Sequence, residues 1–325
     1  MASAYRIPML PLQGEIETRA VLKQAAAAHR RLAELKGVVR TIPNQSILID
    51  TLTLQEAKDS SAVENIITTH DELFKAELFI ESLTSPSAKE VQRYAYALRE
   101  GFELVRANRM LTDNHILKIQ EELERNKAGY RKLPGTALRN QGTAETVYTP
   151  PQDYETIKFL MKNLVDFIND DSLSDIDNLV KLTIIHHQFE SIHPFYDGNG
   201  RTGRIISILF LVIKELLDLP VLYLSRYIIR NKGRYYALLQ DVRDNGNWEE
   251  WIIFILRGIE ETSVQTISLI EQIRSLMADY KKRIRKELPK IYSQDLLNNL
   301  FRHPYTKIEF VEKELSLSRK TASRY

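Results

Sequence analysis

The sequence predicts an all-α fold interrupted by one small β-hairpin. Apolar residues recur at i, i+3 and i+4 through most of the chain, and the chain-breaking residues are sparse, with 12 Gly and 11 Pro in 325 residues. One short segment alone replaces that rhythm with β-prone residues. The same scarcity of Gly and Pro excludes a disordered, collagen-like or Gly-rich β chain.

Residues 15–35 carry Ala, Leu and Arg at helical spacing and run into Lys36-Gly37, a usual C-terminal stop. Residues 52–81, 88–111, 113–126, 153–169 and 177–188 repeat the pattern, several behind a capping residue such as Thr112, Asp113 or Ser174. Residues 132–151 hold the exception. Two β-prone stretches, 136–139 and 146–149, flank Asn140-Gln141-Gly142, and Pro150-Pro151 closes the second, which reads as a hairpin. Residues 204–217 are apolar nearly all round and predict a buried central helix, and 248–280 are long enough for one or two more. From residue 289 the rhythm changes to short helices at 295–302 and 307–315, a tight turn at 316–318, and a basic third helix from Arg319. That is the order of a helix-turn-helix, and because the chain stops inside the third helix the unit is expected to be incomplete. The expected division is a helical N-terminal region at 1–110, a core at 111–280 and this C-terminal segment at 281–325.

Composition narrows the chemistry. Zero cysteines exclude a disulfide scaffold, a thiol nucleophile, a zinc ribbon and an iron–sulfur cluster. The apolar stretch 205–213, broken by Ser207, is too short to span a bilayer, and MASAYRIPML lacks the form of a signal peptide, so a cytoplasmic protein without a membrane partner is expected. The net charge of +2 conceals an asymmetry. Residues 281–325 hold twelve Lys/Arg against five Asp/Glu, a local +7, so residues 1–280 carry −5.

The informative stretch is His193-Pro-Phe-Tyr-Asp197-Gly-Asn-Gly-Arg201-Thr-Gly-Arg204. It places a base, an acid, a Gly-rich turn and two guanidiniums just ahead of a helix. Gly198-Asn199-Gly200 suits a nest of inward-turned N–H groups, the helix start adds its positive end, and Arg201 and Arg204 add forked donors: a cradle for polyphosphate. Residues 198–203 also fit the dinucleotide pattern G-x-G-x-x-G, but no buried strand precedes them, and a Walker A loop is excluded because no Gly-Lys-Ser/Thr follows.

These twelve residues match the signature His-Pro-Phe-x-Asp/Glu-Gly-Asn-Gly-Arg-x-x-Arg, and the chain resembles Fic-domain proteins over roughly residues 52–256, including the hairpin as the family's flap. It looks like the subgroup with a C-terminal winged-helix module. The resemblance implies a helical Fic bundle that transfers AMP from ATP to Ser, Thr or Tyr hydroxyls of target proteins and of itself. It implies that His193 is the general base, that Asp197 binds Mg²⁺, and that Gly198, Asn199, Gly200, Arg201, Thr202, Gly203 and Arg204 hold the ATP phosphates, with Arg204 on the γ-phosphate. Phe195 would anchor the loop in the core, Thr146, Val147, Tyr148 and Thr149 of the flap would clamp the target by strand addition, and Tyr235 would reach the nucleoside. Ser60-Ser-Ala-Val-Glu64-Asn65 matches the inhibitory motif Ser/Thr-x-x-x-Glu-Gly/Asn of self-inhibited relatives, on a helix at about 52–70. Ser60 and Glu64 share a helix face, so Glu64 is expected to pair bidentately with Arg204 and block productive ATP placement.

Plainer readings apply elsewhere. His186 and His187 point about 100° apart on a helix and read as packing groups rather than metal ligands. Tyr227, Tyr235 and Tyr236 read as core before adenine stackers, and the basic run 281–286 as a solvated helix face. Homodimers are common among relatives, so a second copy of the chain, and nucleic acid at the C-terminal segment, stand beside target proteins as candidate partners. Two other functions stand beside AMP transfer: a nucleic-acid-binding regulator acting through the helix-turn-helix, and a Fic-fold enzyme with another donor or with AMP removal as its net reaction.

Overall fold

The computed structural model describes residues 5–78, 85–139, 142–302 and 306–324. In order, its elements are α1 (Arg19–Val39), α2 (Gln45–Val63), α3 (His70–Leu78), α4 (Pro86–Asn108), α5 (Asp113–Glu124), β1 (Leu138–Arg139), β2 (Thr146–Tyr148), α6 (Tyr154–Asn169), a 3₁₀ turn (Asp171–Leu173), α7 (Asn178–Ile192), α8 (Asn199–Ile213), α9 (Leu224–Arg230), α10 (Lys232–Asn245), α11 (Trp248–Glu287), α12 (Gln294–Arg302), α13 (Ile308–Glu314) and α14 (Arg319–Ala322). The mostly helical reading holds, with the two short antiparallel strands as its β-hairpin.

Side-chain caps fix several starts. Thr112 accepts the His115 amide at 3.2 Å to open α5, and Asp153 accepts that of Thr156 at 2.8 Å to open α6. Asp177, rather than the expected Ser174, caps α7 by accepting the Leu179 amide at 2.8 Å. Helices α7 and α8 form the centre: the side chains of α7 are buried from Leu179 to Ile192, and those of α8 from Arg201 to Leu211. Around them pack α4, α6 and α11, and Trp251 of α11 donates its indole N–H to the Thr183 carbonyl at 2.9 Å.

Several boundaries differ from the sequence reading. Helix α1 runs through Gly37 because Leu35 and Val39 continue its buried face. The expected 52–81 helix is two: α2 begins earlier, at Gln45, and breaks after Val63, where Asn65 takes a left-handed φ of 63°. The 79–81 end of that expectation lies outside the described residues. The central helix starts at Asn199 and stops at Ile213, where the amides of Leu216 and Leu217 turn back to the Leu211 carbonyl. Residues 248–280 belong to one helix reaching Glu287, and α9 and α10 were not anticipated. In the hairpin Leu138 faces Tyr148 and Arg139 faces Thr146; Thr149 lies beyond the strand, and Asn140 and Gln141 of the turn lie outside the described residues.

At the C-terminus α12, α13 and α14 close on a small core of Leu296, Val311 and Ala322. This unit rests on α2: Leu297 packs with Ile47 and Met277, and Arg302 Nε donates to Asp50 Oδ2 at 2.6 Å. Among the described residues, no helix is long and apolar enough to cross a membrane.

Candidate active site

The loop between the two central helices carries the twelve-residue motif. His193 caps the C-terminus of α7 in a left-handed conformation (φ 49°), its amide bonded to the Phe189 carbonyl at 2.9 Å. Phe195 is fully buried between the rings of Tyr130 and Phe189, at 5.2 and 6.3 Å. Asn199 laces the loop shut, accepting the Phe195 amide at 2.8 Å and donating to the Phe195 carbonyl at 2.9 Å, so its side chain is structural. Gly198, at φ 76°, caps α8 without a side chain, which leaves the first N–H groups of that helix directed at a cavity of about 440 Å³. His193, Asp197 and residues 198–201 line this cavity, joined by Glu64, Glu90 and, from the flap, Leu138.

Both arginines are already engaged by acids. Arg204, 2% exposed, donates from Nε to Ser60 Oγ at 2.8 Å and from Nη2 to the Ser60 carbonyl at 3.0 Å and Glu64 Oε1 at 2.9 Å. The Glu64 contact runs through one carboxylate oxygen to Nη2 rather than the expected bidentate pair, while Ser60 occupies Nε and shares Nη2. Burial opposes the charge of Arg204, but Glu64, Tyr235, Tyr94 and Glu190 together outweigh it and hold the guanidinium protonated. Asn65 turns the other way and accepts Lys232 Nζ at 2.8 Å. Arg201 bridges Glu124 at 2.8 Å and Glu90 at 3.3 Å, two partners the sequence reading missed because they lie 77 and 111 residues away. Burial pushes the Glu124 carboxyl up, against the pull of Arg201.

Burial, then the charges of Arg131 and Arg243, push His193 down to about 4, so the imidazole is neutral near pH 7. Its Nδ1 is buried and the Glu190 carbonyl is the backbone group that favours a proton on the ring, which leaves Nε2 as the nitrogen on the cavity side. Asp197 is exposed, and its Oδ1 accepts the Gly198 amide at 2.7 Å. Among the described residues no group of three or more His, Cys, Asp or Glu is arranged to hold a metal. A single carboxylate at the edge of a phosphate-sized cradle fits a hard cation that completes its shell with phosphate oxygens and water.

Other expected site residues sit elsewhere. Thr202, Gly203 and Arg204 are buried behind the cavity lining. Tyr235 is a core residue, 1% exposed, its hydroxyl 2.8 Å from His186 Nε2, and it does not reach the cavity. His186 and His187 diverge as expected, His186 to Tyr235 and Ser207, His187 to the Leu239 carbonyl at 3.2 Å. In the flap Thr146 and Val147 are exposed, while Tyr148 is buried and acts as an anchor. A side chain at Gly198 would be strained by the left-handed backbone, and its Cβ, 2.4 Å from Glu124 Oε1, would have to displace the carboxylate that Arg201 holds. Gly198→Ala is therefore expected to lower the unfolding free energy by about 1–2 kcal/mol in a urea titration.

Comparison with known proteins agrees with this geometry. The Fic/DOC family N-terminal domain matches residues 22–103, the Fic/DOC family domain residues 110–211, and the C-terminal domain of SoFic-like protein adenylyltransferases residues 276–325. The chain is 28% identical over 202 residues to a probable protein adenylyltransferase of Aquifex aeolicus, a match covering 60% of this chain and 57% of that one. It is 30% identical over 115 residues to the protein adenylyltransferase fic-1 of Caenorhabditis elegans, covering 35% and 21%. The chain thus spans little more than half the length of the first relative and a fifth of the second. The fold is shared with a crystal structure of a Fic family protein from Desulfovibrio desulfuricans (TM-score 0.66, 21% identity, 97% of this chain and 88% of that one). It is shared also with residues 134–508 of C. elegans Fic-1 (TM-score 0.58, 20% identity, 78% and 73%). By its motif, its fold and these matches, the chain belongs to the Fic/DOC family, with N-terminal and Fic domains followed by a C-terminal domain of the SoFic-like adenylyltransferase type.

Proposed function

We propose that the chain is a Mg²⁺- and ATP-dependent protein adenylyltransferase held at low activity by its own Glu64. One observation carries the reading. Glu64, which lines the cavity together with His193 and the open start of α8, sets its Oε1 2.9 Å from the guanidinium of Arg204 just behind that lining. A carboxylate thus occupies the donor that a terminal phosphate needs.

The residues divide the work. The N–H groups at the start of α8 bind phosphate oxygens, helped by the helix dipole. Arg201 shares its fork between phosphate and the acids Glu90 and Glu124, so it orients the chain without fixing it too tightly. His193 Nε2 takes the proton of the target hydroxyl as that oxygen bonds to the α-phosphorus; the bond from phosphorus to the bridging oxygen breaks, and pyrophosphate leaves. Negative phosphate beside the ring raises its basicity from the low value of the free protein. Asp197 would hold Mg²⁺, which supplies charge neutralisation on the phosphates. The exposed edge at Thr146 and Val147 suits an added strand from the target.

The test is to incubate the protein with ATP labelled at either the α- or the γ-phosphate and read label on protein. AMP transfer retains the α-label and loses the γ-label. Retained γ-label, or a protein adduct without adenosine by mass spectrometry, overturns the reading in favour of another donor group.

A further inference from the structure

The last turn of α7, which presents His193, has an unusual set of partners. Its carbonyls have no helical successors and must be satisfied from outside. Glu190 O accepts from Arg243 Nη2 at 3.4 Å, Ser191 O from the Tyr148 hydroxyl at 2.8 Å, and His193 O from Arg131 Nε at 2.9 Å. Arg243 also donates from Nε to Ser191 Oγ at 3.2 Å, and the Arg131 amide reaches the Pro194 carbonyl at 2.9 Å. The same groups hold the flap. The Arg243 guanidinium lies 3.9 Å over the Tyr148 ring at the end of β2, and Arg131 Nη2 donates to the Pro151 carbonyl. Both guanidiniums are buried, and neither has a carboxylate among these partners; they are spent on the negative end of a helix and on the flap's return strand.

We infer that Arg243, together with Arg131, is a positioning residue that clamps the flap to the last turn of α7, so that the strand docking the target and the base facing it form one rigid unit. The inference rests on the proposed reaction for its purpose, while the clamp itself is a property of the free protein. A target segment added at Thr146 and Val147 is then held at a fixed distance from His193, where small misplacements are costly to rate. The two cations have a second consequence. Alongside burial they disfavour the imidazolium, while Glu64 and the Glu190 carbonyl favour it; Asp197, Glu90, Tyr196 and Arg201 are the other titratable or charged groups lining that cavity.

Three variants of the 325-residue chain test this: Arg243→Gln, which removes the charge; Arg243→Lys, which keeps the charge but not the planar stack; and Tyr148→Phe, which removes only the bond to Ser191. Two readouts need no AMP transfer: NMR titration of the His193 ring and hydrogen exchange of the amides at Thr146, Val147 and Tyr148. In Arg243→Gln the ring is expected to titrate about one pH unit higher, and the flap amides to exchange about tenfold faster. Arg243→Lys should keep the wild-type titration while still loosening the flap, and Tyr148→Phe should loosen the flap alone. Self-modification by Arg243→Lys in a Glu64→Gly background should fall about 10- to 100-fold in kcat with KM for ATP within about twofold. Wild-type flap exchange in both Arg243→Lys and Tyr148→Phe overturns the clamp, even if Arg243→Gln fails to fold. Faster exchange without any AMP transfer leaves the clamp standing and sinks the reaction instead.

Discussion

Replacing His193 with Ala lowers AMP transfer by about 10²–10⁴-fold, the usual worth of a positioned general base. The measurement is the initial rate of α-labelled AMP incorporation in a Glu64→Gly background, where the parent rate is high enough to resolve such a loss. Two features make the outcome interpretable. The backbone at 193 is left-handed, and its carbonyl and amide are both engaged, by Arg131 and Phe189, so neither bond depends on the imidazole. Alanine tolerates a positive φ poorly, whereas asparagine adopts it readily. His193→Asn therefore keeps the local conformation and still lacks a base, and it should lose as much rate as His193→Ala while melting closer to the parent. If either variant kept more than about a tenth of the parent rate, His193 would not be the base. Titration sharpens the case. With His193 pushed down to about 4, the ring is already neutral at pH 5–8, so loss of the free ring's proton does not set an acid limb there.

The sequence was informative where chemistry is local and silent where it is not. The cradle was legible because one run of residues contains the base, the acid, the turn and the helix start, and Gly198 does adopt the positive φ that its place before a helix implies. Phe195 as an anchor came from the family resemblance, and the residue is indeed buried against Tyr130 and Phe189. What escaped are partners distant along the chain: Glu124 and Glu90 for Arg201, and Arg131 and Arg243 for the turn bearing His193. Nothing in a string of residues marks Glu124 as the one glutamate of its helix aimed inward. The break after Val63 shows tertiary contact overriding local pattern. Apolar spacing favours one helix across residues 52–81, yet the chain turns at Asn65, next to the Glu64 that reaches Arg204 140 residues away. Tyr235 follows the plainer of its two readings: its hydroxyl is satisfied by His186 in the core, as the core reading of the 227–236 tyrosines implies.

Glu64→Gly should raise AMP transfer, self-modification included, by about 10- to 100-fold, the range expected when one charge-assisted hydrogen bond competing with the nucleotide is removed. Arg204 should stay in place, because Ser60 accepts from it twice, through Oγ and through the carbonyl. The backbone at Glu64 makes no special demand either, at φ −89° and ψ 16°. What the substitution leaves is a guanidinium 2% exposed without its carboxylate, so the apo variant should melt below wild type. ATP supplies the missing negative charge, and a ligand that binds only the folded state stabilises it by mass action, so the variant should gain more in melting temperature from ATP than wild type does. Glu64→Gln separates charge from occupancy. The amide keeps a hydrogen-bond acceptor facing Arg204 but is easier for phosphate to displace, which places its rate between the other two. Equal rates for wild type and Glu64→Gly, with equal thermal responses to ATP, would remove Glu64 as an inhibitor. Raised activity without the larger ATP-linked melting shift would instead mean that Glu64 acts on the target side of the cavity rather than on Arg204.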